Sequence, residues 1–111
     1  MSTGESTRAC FLLKVKPGLL DEYRQRHSPV WAEMLLAIRD AGWSNYTIFA
    51  HEDGTIVGYF ETDDLARARA EMESVEVGRR WDAATTHLFA ESQQWLTPIF
   101  SLDEQLRAAG Q

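Results

Sequence analysis

Apolar residues recur along this chain in two rhythms, one typical of strands and one typical of helices. Residues 9–15 are nearly all apolar and are followed by a Pro-Gly pair, which predicts a mostly buried strand. Two β-branched and aromatic runs, 43–51 and 55–62, flank a Glu-Asp-Gly turn and predict an antiparallel hairpin. A last strand is predicted over 94–102, with Pro98 at an edge or a subunit contact because proline cannot donate to a strand ladder.

The longest helical pattern is interrupted by a proline. It is predicted to run from Pro17, in the first turn, to near Gly42. Pro29 must either kink this helix or start a new one with Ser28 as its cap, and either choice leaves His27 at an irregular point. The positions that make up the apolar stripe are Leu20, Tyr23, His27, Val30, Trp31, Met34 and Ile38.

Two further helices complete the predicted fold. Cap-type residues followed by strong helix formers predict a helix over 64–73. A third, shorter helix is predicted through Arg80, Trp81 and Ala84. The resulting order is β-α-β-β-α-(α)-β, which indicates an α+β, ferredoxin-like fold with helices on one face of an antiparallel sheet. A second copy of the chain is the economical cover for the other face, so a homodimer is predicted.

The composition of the chain limits its domain organisation and the kinds of partner that it can bind. The 111 residues fit one domain at 9–103, preceded by a loose tail at 1–8 and followed by a polar tail at 104–111. A net charge of -6 disfavours nucleic acid and anionic lipid. No apolar leader or membrane span is recognised, and Cys10 is the single cysteine, so a cytoplasmic protein without a disulfide is predicted.

The residues most suited to chemistry are Tyr23 and His27. They lie four positions apart, so their side chains share one helical face and can contact the same small ligand. An imidazole can give or take a proton near neutral pH. The alternative is packing, because a lone histidine on an apolar stripe is more often a structural residue with one hydrogen bond, and Tyr23 and Trp31 equally fit core aromatics.

Other chemistry lacks support in the sequence. His51 adjoins the predicted turn and His87 has no second ligand at metal-binding spacing, so no zinc site is predicted. Asp63 and Asp64 are explained better as helix caps than as a catalytic pair. There is no phosphate-binding loop and no dinucleotide turn.

The remaining candidates are aromatic. Rings with hydroxyl or N–H groups suit the alternating C–H and O–H surface of a neutral sugar, although they also suit a core or a dimer contact. The residues concerned are Tyr23, Trp31, Trp43, Tyr46 and Trp81.

Several stretches of the chain resemble the L-rhamnose mutarotase family. They are V-K-P-G-L-L-D-E-Y-R-Q-R-H-S-P-V-W-A-E at 15–33, G-W-S-N-Y-T-I-F at 42–49, V-G-Y-F-E-T at 57–62, R-R-W at 79–81 and L-T-P-I-F-S-L-D at 96–103. The E-Y-x-x-x-H-x-x-x-W segment followed by N-Y is the most specific of these.

This resemblance implies a homodimeric α+β barrel enzyme, an isomerase of the aldose 1-epimerase type, that interconverts the α and β anomers of L-rhamnose without metal or cofactor. It further implies that His27 is the proton donor and that Tyr23, Tyr46 and Trp81 contact the substrate. Many members have a second tryptophan after the position of Trp81, where this chain has Asp82, which can accept hydrogen bonds but cannot stack.

Two other functions stay open at this point. A cofactor-free monooxygenase or a haem-binding protein shares the predicted order of elements, and fold alone does not fix function. A non-catalytic sugar-binding module would use the same aromatic residues. The preferred 6-deoxyhexose and the group that partners His27 in proton transfer are also left open by the sequence.

Overall fold

A four-stranded antiparallel sheet with the strand order β2-β3-β1-β4 organises the chain. The computed structural model describes residues 7–111. Its elements, in chain order, are β1 (Thr7–Val15), α1 (Leu20–Arg26), α2 (Ala32–Asp40), β2 (Ser44–Ala50), β3 (Thr55–Thr62), α3 (Leu65–Ser74), α4 (Glu76–Thr85), a 3₁₀ turn (Thr86–Leu88), β4 (Phe89–Leu96) and α5 (Leu102–Ala108). The predicted α+β class and its ferredoxin-like arrangement are confirmed.

The core lies on one face of the sheet, which we call the inner face. Burial alternates along β3, where Ile56 and Phe60 are fully buried, and the same alternation on β1 places Phe11 and Val15 on that face. This period of two is the direct consequence of strand geometry. Helices cover the inner face, since α3 contributes Ala68 to one buried cluster. Leu88, at the end of the 3₁₀ turn, is fully buried in a second cluster.

The opposite face, which we call the outer face, carries the alternate positions of β1 and β3, and α5 contacts it where Asp103 pairs with Arg8 at 3.5 Å. Cross-strand pairing places Phe49 opposite Val57, Val57 opposite Leu12, and Leu12 opposite Gln94, so one row crosses all four strands. Three of its four members are apolar, and Phe49 is 58% exposed. An apolar row of this kind is the feature that a partner surface would cover.

The helical pattern predicted from Pro17 forms two helices, which begin later than predicted and end at Asp40, close to Gly42 as predicted. Gly18 adopts a φ of 83°, a left-handed conformation that glycine tolerates, so the turn delays α1 to Leu20. Helix α1 ends at Arg26 because a residue before proline disfavours helical geometry. The second helix does not begin at Pro29 with Ser28 as cap. Its first carbonyl is that of Trp31, which accepts from the Met34 and Leu35 amides.

The hairpin and the second predicted helix are confirmed. β2 and β3 pair antiparallel around the predicted turn, where the backbone N–H of Thr55 donates to the Asp53 carboxylate at 2.8 Å. This contact lowers the Asp53 pKa to about 2. Helix α3 begins as expected after Asp64, whose side chain accepts from the Arg67 amide.

The last strand was predicted five residues too late. β4 begins at Phe89, which pairs with Val15, and ends at Leu96 rather than continuing through Pro98. The reason is that the buried Leu88 carbonyl accepts from the Lys16 amide at 2.8 Å, which fixes the start of β4 beside β1. Beyond the strand, Ile99 is 97% exposed.

The terminal segments differ in how far the structure describes them. Residues 1–6 of the predicted tail at 1–8 lie outside the described residues, and β1 includes residues 7 and 8. At the other end, α5 is capped by Ser101 and exposed, as a polar helical tail should be, although it begins before residue 104. Across residues 7–111, none of the helices has the length and apolar character needed to span a membrane.

Candidate active site

A cavity of about 1060 Å³ lies between the helices and the inner face of the sheet. Its walls come from α1 to α4 and its floor from strands β1, β2 and β4. The four residues singled out from the sequence, Tyr23, His27, Tyr46 and Trp81, all line it, although they come from different elements. The cavity is therefore the candidate active site.

Tyr23 and His27 pack against each other as their spacing predicts. Their ring centroids are 4.4 Å apart, and the His27 Nδ1 atom lies 2.8 Å from the Tyr23 carbonyl oxygen. A carbonyl can only accept, so Nδ1 carries a proton and donates it in this hydrogen bond. Nε2 is then the nitrogen that can gain or lose a proton, and no described residue is within hydrogen-bonding distance of it.

The position of His27 follows from the helix break. It is the C-terminal cap residue of α1, where its amide donates to the Arg24 carbonyl at 3.1 Å. The turn at residues 27–29 follows directly, and the imidazole is half-buried at the cavity wall rather than inside the core. The packing alternative weighed from the sequence therefore applies to Tyr23, which is buried, more than to His27.

Trp81 forms the neighbouring wall. Its ring meets that of His27 edge-on at a centroid distance of 5.3 Å. The Trp81 ring also meets that of Trp31 at 5.0 Å, again edge-on. Trp31 does not line the cavity, so it acts as a support for Trp81 rather than as a candidate ligand contact.

Tyr46 enters the cavity from β2, among packed aromatic rings. Its ring lies 5.0 Å from Trp43 and 6.3 Å from Phe11. Burial raises the pKa of Tyr46 well above its usual range, and burial raises the pKa of Tyr23 to about 12. Both phenols therefore keep their protons at neutral pH and can donate hydrogen bonds.

Trp43, named among the sugar-facing aromatics, has mainly a packing role. Its indole stacks on Phe60 at 3.8 Å, and its N–H donates to the Ala68 carbonyl at 3.0 Å. Trp95 and Arg69 are among the cavity residues that the sequence did not single out. The Arg69 guanidinium lies 4.2 Å from the centre of the Trp95 ring. They are 26 positions apart, and only the alternation of β4 could have indicated the inward direction of Trp95.

The remaining histidines and the cysteine lie away from this cavity. His51 contacts Asp53 in the hairpin turn at 3.2 Å, and His87 lies 3.0 Å from the exposed carboxylate of Glu22. Cys10 is a free thiol on β1. Within residues 7–111, no three His, Cys, Asp or Glu side chains are grouped so that they could hold a metal ion.

Comparison with known proteins gives one consistent family at the sequence level. The family model described as L-rhamnose mutarotase matches residues 8–103. An L-rhamnose mutarotase of Burkholderia ambifaria is 33% identical over 99 residues, covering 84% of this chain and 95% of that protein. An L-rhamnose mutarotase of Opitutus terrae is 37% identical over 75 residues, covering 67% of this chain and 72% of that protein.

Solved structures show the fold. The L-rhamnose mutarotase of Formosa agariphila superposes with a TM-score of 0.76 at 21% identity, covering 87% of this chain and 99% of that one. A monooxygenase of Streptomyces coelicolor superposes with a TM-score of 0.61 at 16% identity, covering 86% and 88%. Both likenesses are at the level of fold, and the fold is shared by proteins with different names.

Proposed function

The chain belongs to the L-rhamnose mutarotase family, and we therefore propose that it is a mutarotase that interconverts the α and β anomers of L-rhamnose. The reaction class that goes with this activity is that of an isomerase of the aldose 1-epimerase type. The observation that carries the proposal is the protonation geometry of His27, whose Nδ1 is engaged by a backbone carbonyl while Nε2 is left for a ligand.

Anomer exchange opens and recloses a hemiacetal. One group takes the proton from the anomeric hydroxyl while another delivers a proton to the ring oxygen, and closure on the other face of the carbonyl reverses these roles. We assign proton delivery to His27 through Nε2. Because the Nδ1–H bond to the Tyr23 carbonyl is compatible with both charge states of the ring, the imidazole need not reorient as it cycles.

The other site residues hold the sugar in this proposal. Burial raises the pKa of both Tyr23 and Tyr46, so their phenols act as hydrogen-bond donors rather than as bases. The indole of Trp81, edge-on to His27, supplies an apolar wall for the C–H face of a pyranose. The uncatalysed reaction already proceeds in water, so orientation and a well-timed proton are a sufficient contribution from the protein.

The test is exchange of freshly dissolved L-rhamnose, followed by saturation-transfer NMR with the uncatalysed rate subtracted. The parent should accelerate exchange. His27→Asn should lower the catalysed rate about 100-fold or more, because its amide can still donate to the Tyr23 carbonyl but cannot transfer a proton.

His87→Asn is the matched control, since His87 lies outside the cavity on Glu22, and it should keep the parental rate. Undiminished exchange by His27→Asn would exclude the role assigned to His27. Thermal protection by rhamnose without any acceleration by the parent would indicate a sugar-binding module instead.

The same proposal includes a homodimer that works in the cytoplasm. The apolar row on the outer face supports the dimer, because Phe49 in that row is 58% exposed. The cytoplasmic location is supported by the single cysteine, which cannot form an intramolecular disulfide.

A further inference from the structure

Asp82 presents a carboxylate to the candidate active site. It lies on α4 between Trp81 and Thr85, and the residues of that segment that line the cavity are Gly78, Trp81, Asp82, Thr85 and Thr86. This spacing of three and four is one helical face, so Asp82 projects from the same face as the indole that contacts His27.

The hydroxyl groups nearest to Asp82 in sequence are committed elsewhere. The Thr85 hydroxyl donates to the Trp81 carbonyl at 2.9 Å, and the Thr86 hydroxyl donates to the backbone carbonyl of Asp82 at 2.6 Å. Neither serves the carboxylate. Within the described chain, the Asp82 side chain has neither a hydrogen-bond donor nor an ion-pair partner.

The cavity cations do not neutralise it either. Arg24 pairs with Asp21 at 3.3 Å, and the Arg69 guanidinium lies over the Trp95 ring. Partial burial accordingly raises the pKa of Asp82, the effect expected of a carboxylate that has lost water without gaining a donor. Because Asp82 is still partly exposed, solvent satisfies its carboxylate in the open cavity, and a ligand that displaces this solvent must supply donors in its place.

A neutral polyol can supply them. An ionised carboxylate offers two acceptor oxygens to a pair of neighbouring hydroxyl groups, and hydrogen bonds to a charged acceptor are stronger than neutral ones. We propose that Asp82 accepts hydrogen bonds from two adjacent hydroxyls of the bound pyranose and so determines which sugars the site selects. This inference rests on the proposed function, because it places the sugar in the same cavity.

The experiment measures kcat and KM for anomer exchange with L-rhamnose and with its 2-, 3- and 4-deoxy analogues. The parent should discriminate against at least one analogue by about tenfold or more in kcat/KM, because the analogue leaves the carboxylate without a donor. Asp82→Asn should raise the KM for L-rhamnose about tenfold, change kcat less than about threefold, and lose most of that discrimination.

Asp63→Asn is the matched control, because Asp63 is exposed and lies outside the cavity, and it should match the parent throughout. A parental KM and parental discrimination in Asp82→Asn would overturn the inference. So would a large fall in kcat at unchanged KM, which would indicate a proton-transfer role. Circular dichroism checks that each variant is folded.

Sugar binding can also be measured by tryptophan fluorescence, which compares the parent and Asp82→Asn with the same four sugars and does not depend on catalysis. A parent that binds and discriminates among the four sugars but does not exchange anomers would count against the proposed function alone. In that case Asp82→Asn should still lose the discrimination, and its retention would overturn the role of Asp82.

Discussion

At the scale of single residues, burial in the fold keeps the phenol groups of the two cavity tyrosines protonated. Tyr23 is buried beside His27, and its pKa is raised to about 12 by the loss of water around the phenol. An unfolded tyrosine ionises near pH 10. Between these two pH values, Tyr23 keeps its proton in the folded chain but has lost it in the unfolded chain. The free energy of unfolding therefore depends on pH in this range.

The stabilisation from the protonated Tyr23 phenol should therefore be complete below pH 10 and be lost as the pH rises towards 12. The free energy of unfolding should fall in this window by up to about 1.4 kcal/mol per pH unit for each such phenol. Tyr23→Phe should have a shallower slope by about that amount. Urea unfolding of both proteins between pH 9 and pH 11.5 measures it, and equal slopes would contradict the prediction.

The residues that were predictable from the sequence are those whose geometry is local. Tyr23 and His27 are one helical turn apart, so their contact follows from spacing alone. The pairing of Arg69 with the Trp95 ring depends on how α3 lies over β4, and nothing within either segment encodes it. The roles of the site residues toward a substrate stay predictions.

At the scale of elements, the close approach of β3 and β1 fixes the position of one aromatic ring in the floor of the cavity. Gly58 on β3 faces Phe11 on β1, with which it is paired in the register. A Cβ atom at Gly58 would overlap the Phe11 ring, so only glycine fits while that ring keeps its place. The Phe11 ring in turn lines the cavity.

Gly58→Ala should lower the free energy of unfolding by about 1 to 3 kcal/mol, because the added methyl overpacks a filled core. Combining it with Phe11→Leu should cost less than the sum of the two single changes, since the smaller side chain makes room for the methyl. Urea denaturation at one fixed protein concentration measures all four proteins. Strict additivity would show that the two positions do not compete for space.

Element boundaries were the weaker part of the sequence prediction, and the errors share a cause. The hairpin and α3 carry their own turn and cap residues, so they were placed to within a residue or two. β4 has no such signal at its start. It begins where Leu88 is buried and Phe89 meets Val15, which are tertiary contacts rather than local ones.

At the scale of the whole molecule, the outer face is the surface that remains to be covered. The order of elements was enough to predict a sheet with helices on one side, because connection rules leave few alternatives. The row from Phe49 through Val57 and Leu12 could be identified only after the register was known. It supports the proposed dimer.

The parent should sediment with twice the chain mass over a wide range of concentrations. Leu12→Glu should lower the mass toward that of the monomer while preserving the far-ultraviolet circular dichroism, because it places charges at the centre of the outer face. Leu36→Glu is the control, since Leu36 is half exposed on α2, away from the sheet and the cavity. A parent that stays monomeric at all concentrations would exclude the homodimer.

The hydrogen bond that orients His27 has a peptide group as its acceptor, not a side chain. Replacing the ring at position 23 changes what the ligand touches but leaves the acceptor in place. Under the proposed function, recognition and proton delivery are thus separable, and an engineer can vary the proposed sugar-contacting positions one by one while the backbone keeps the tautomer of His27.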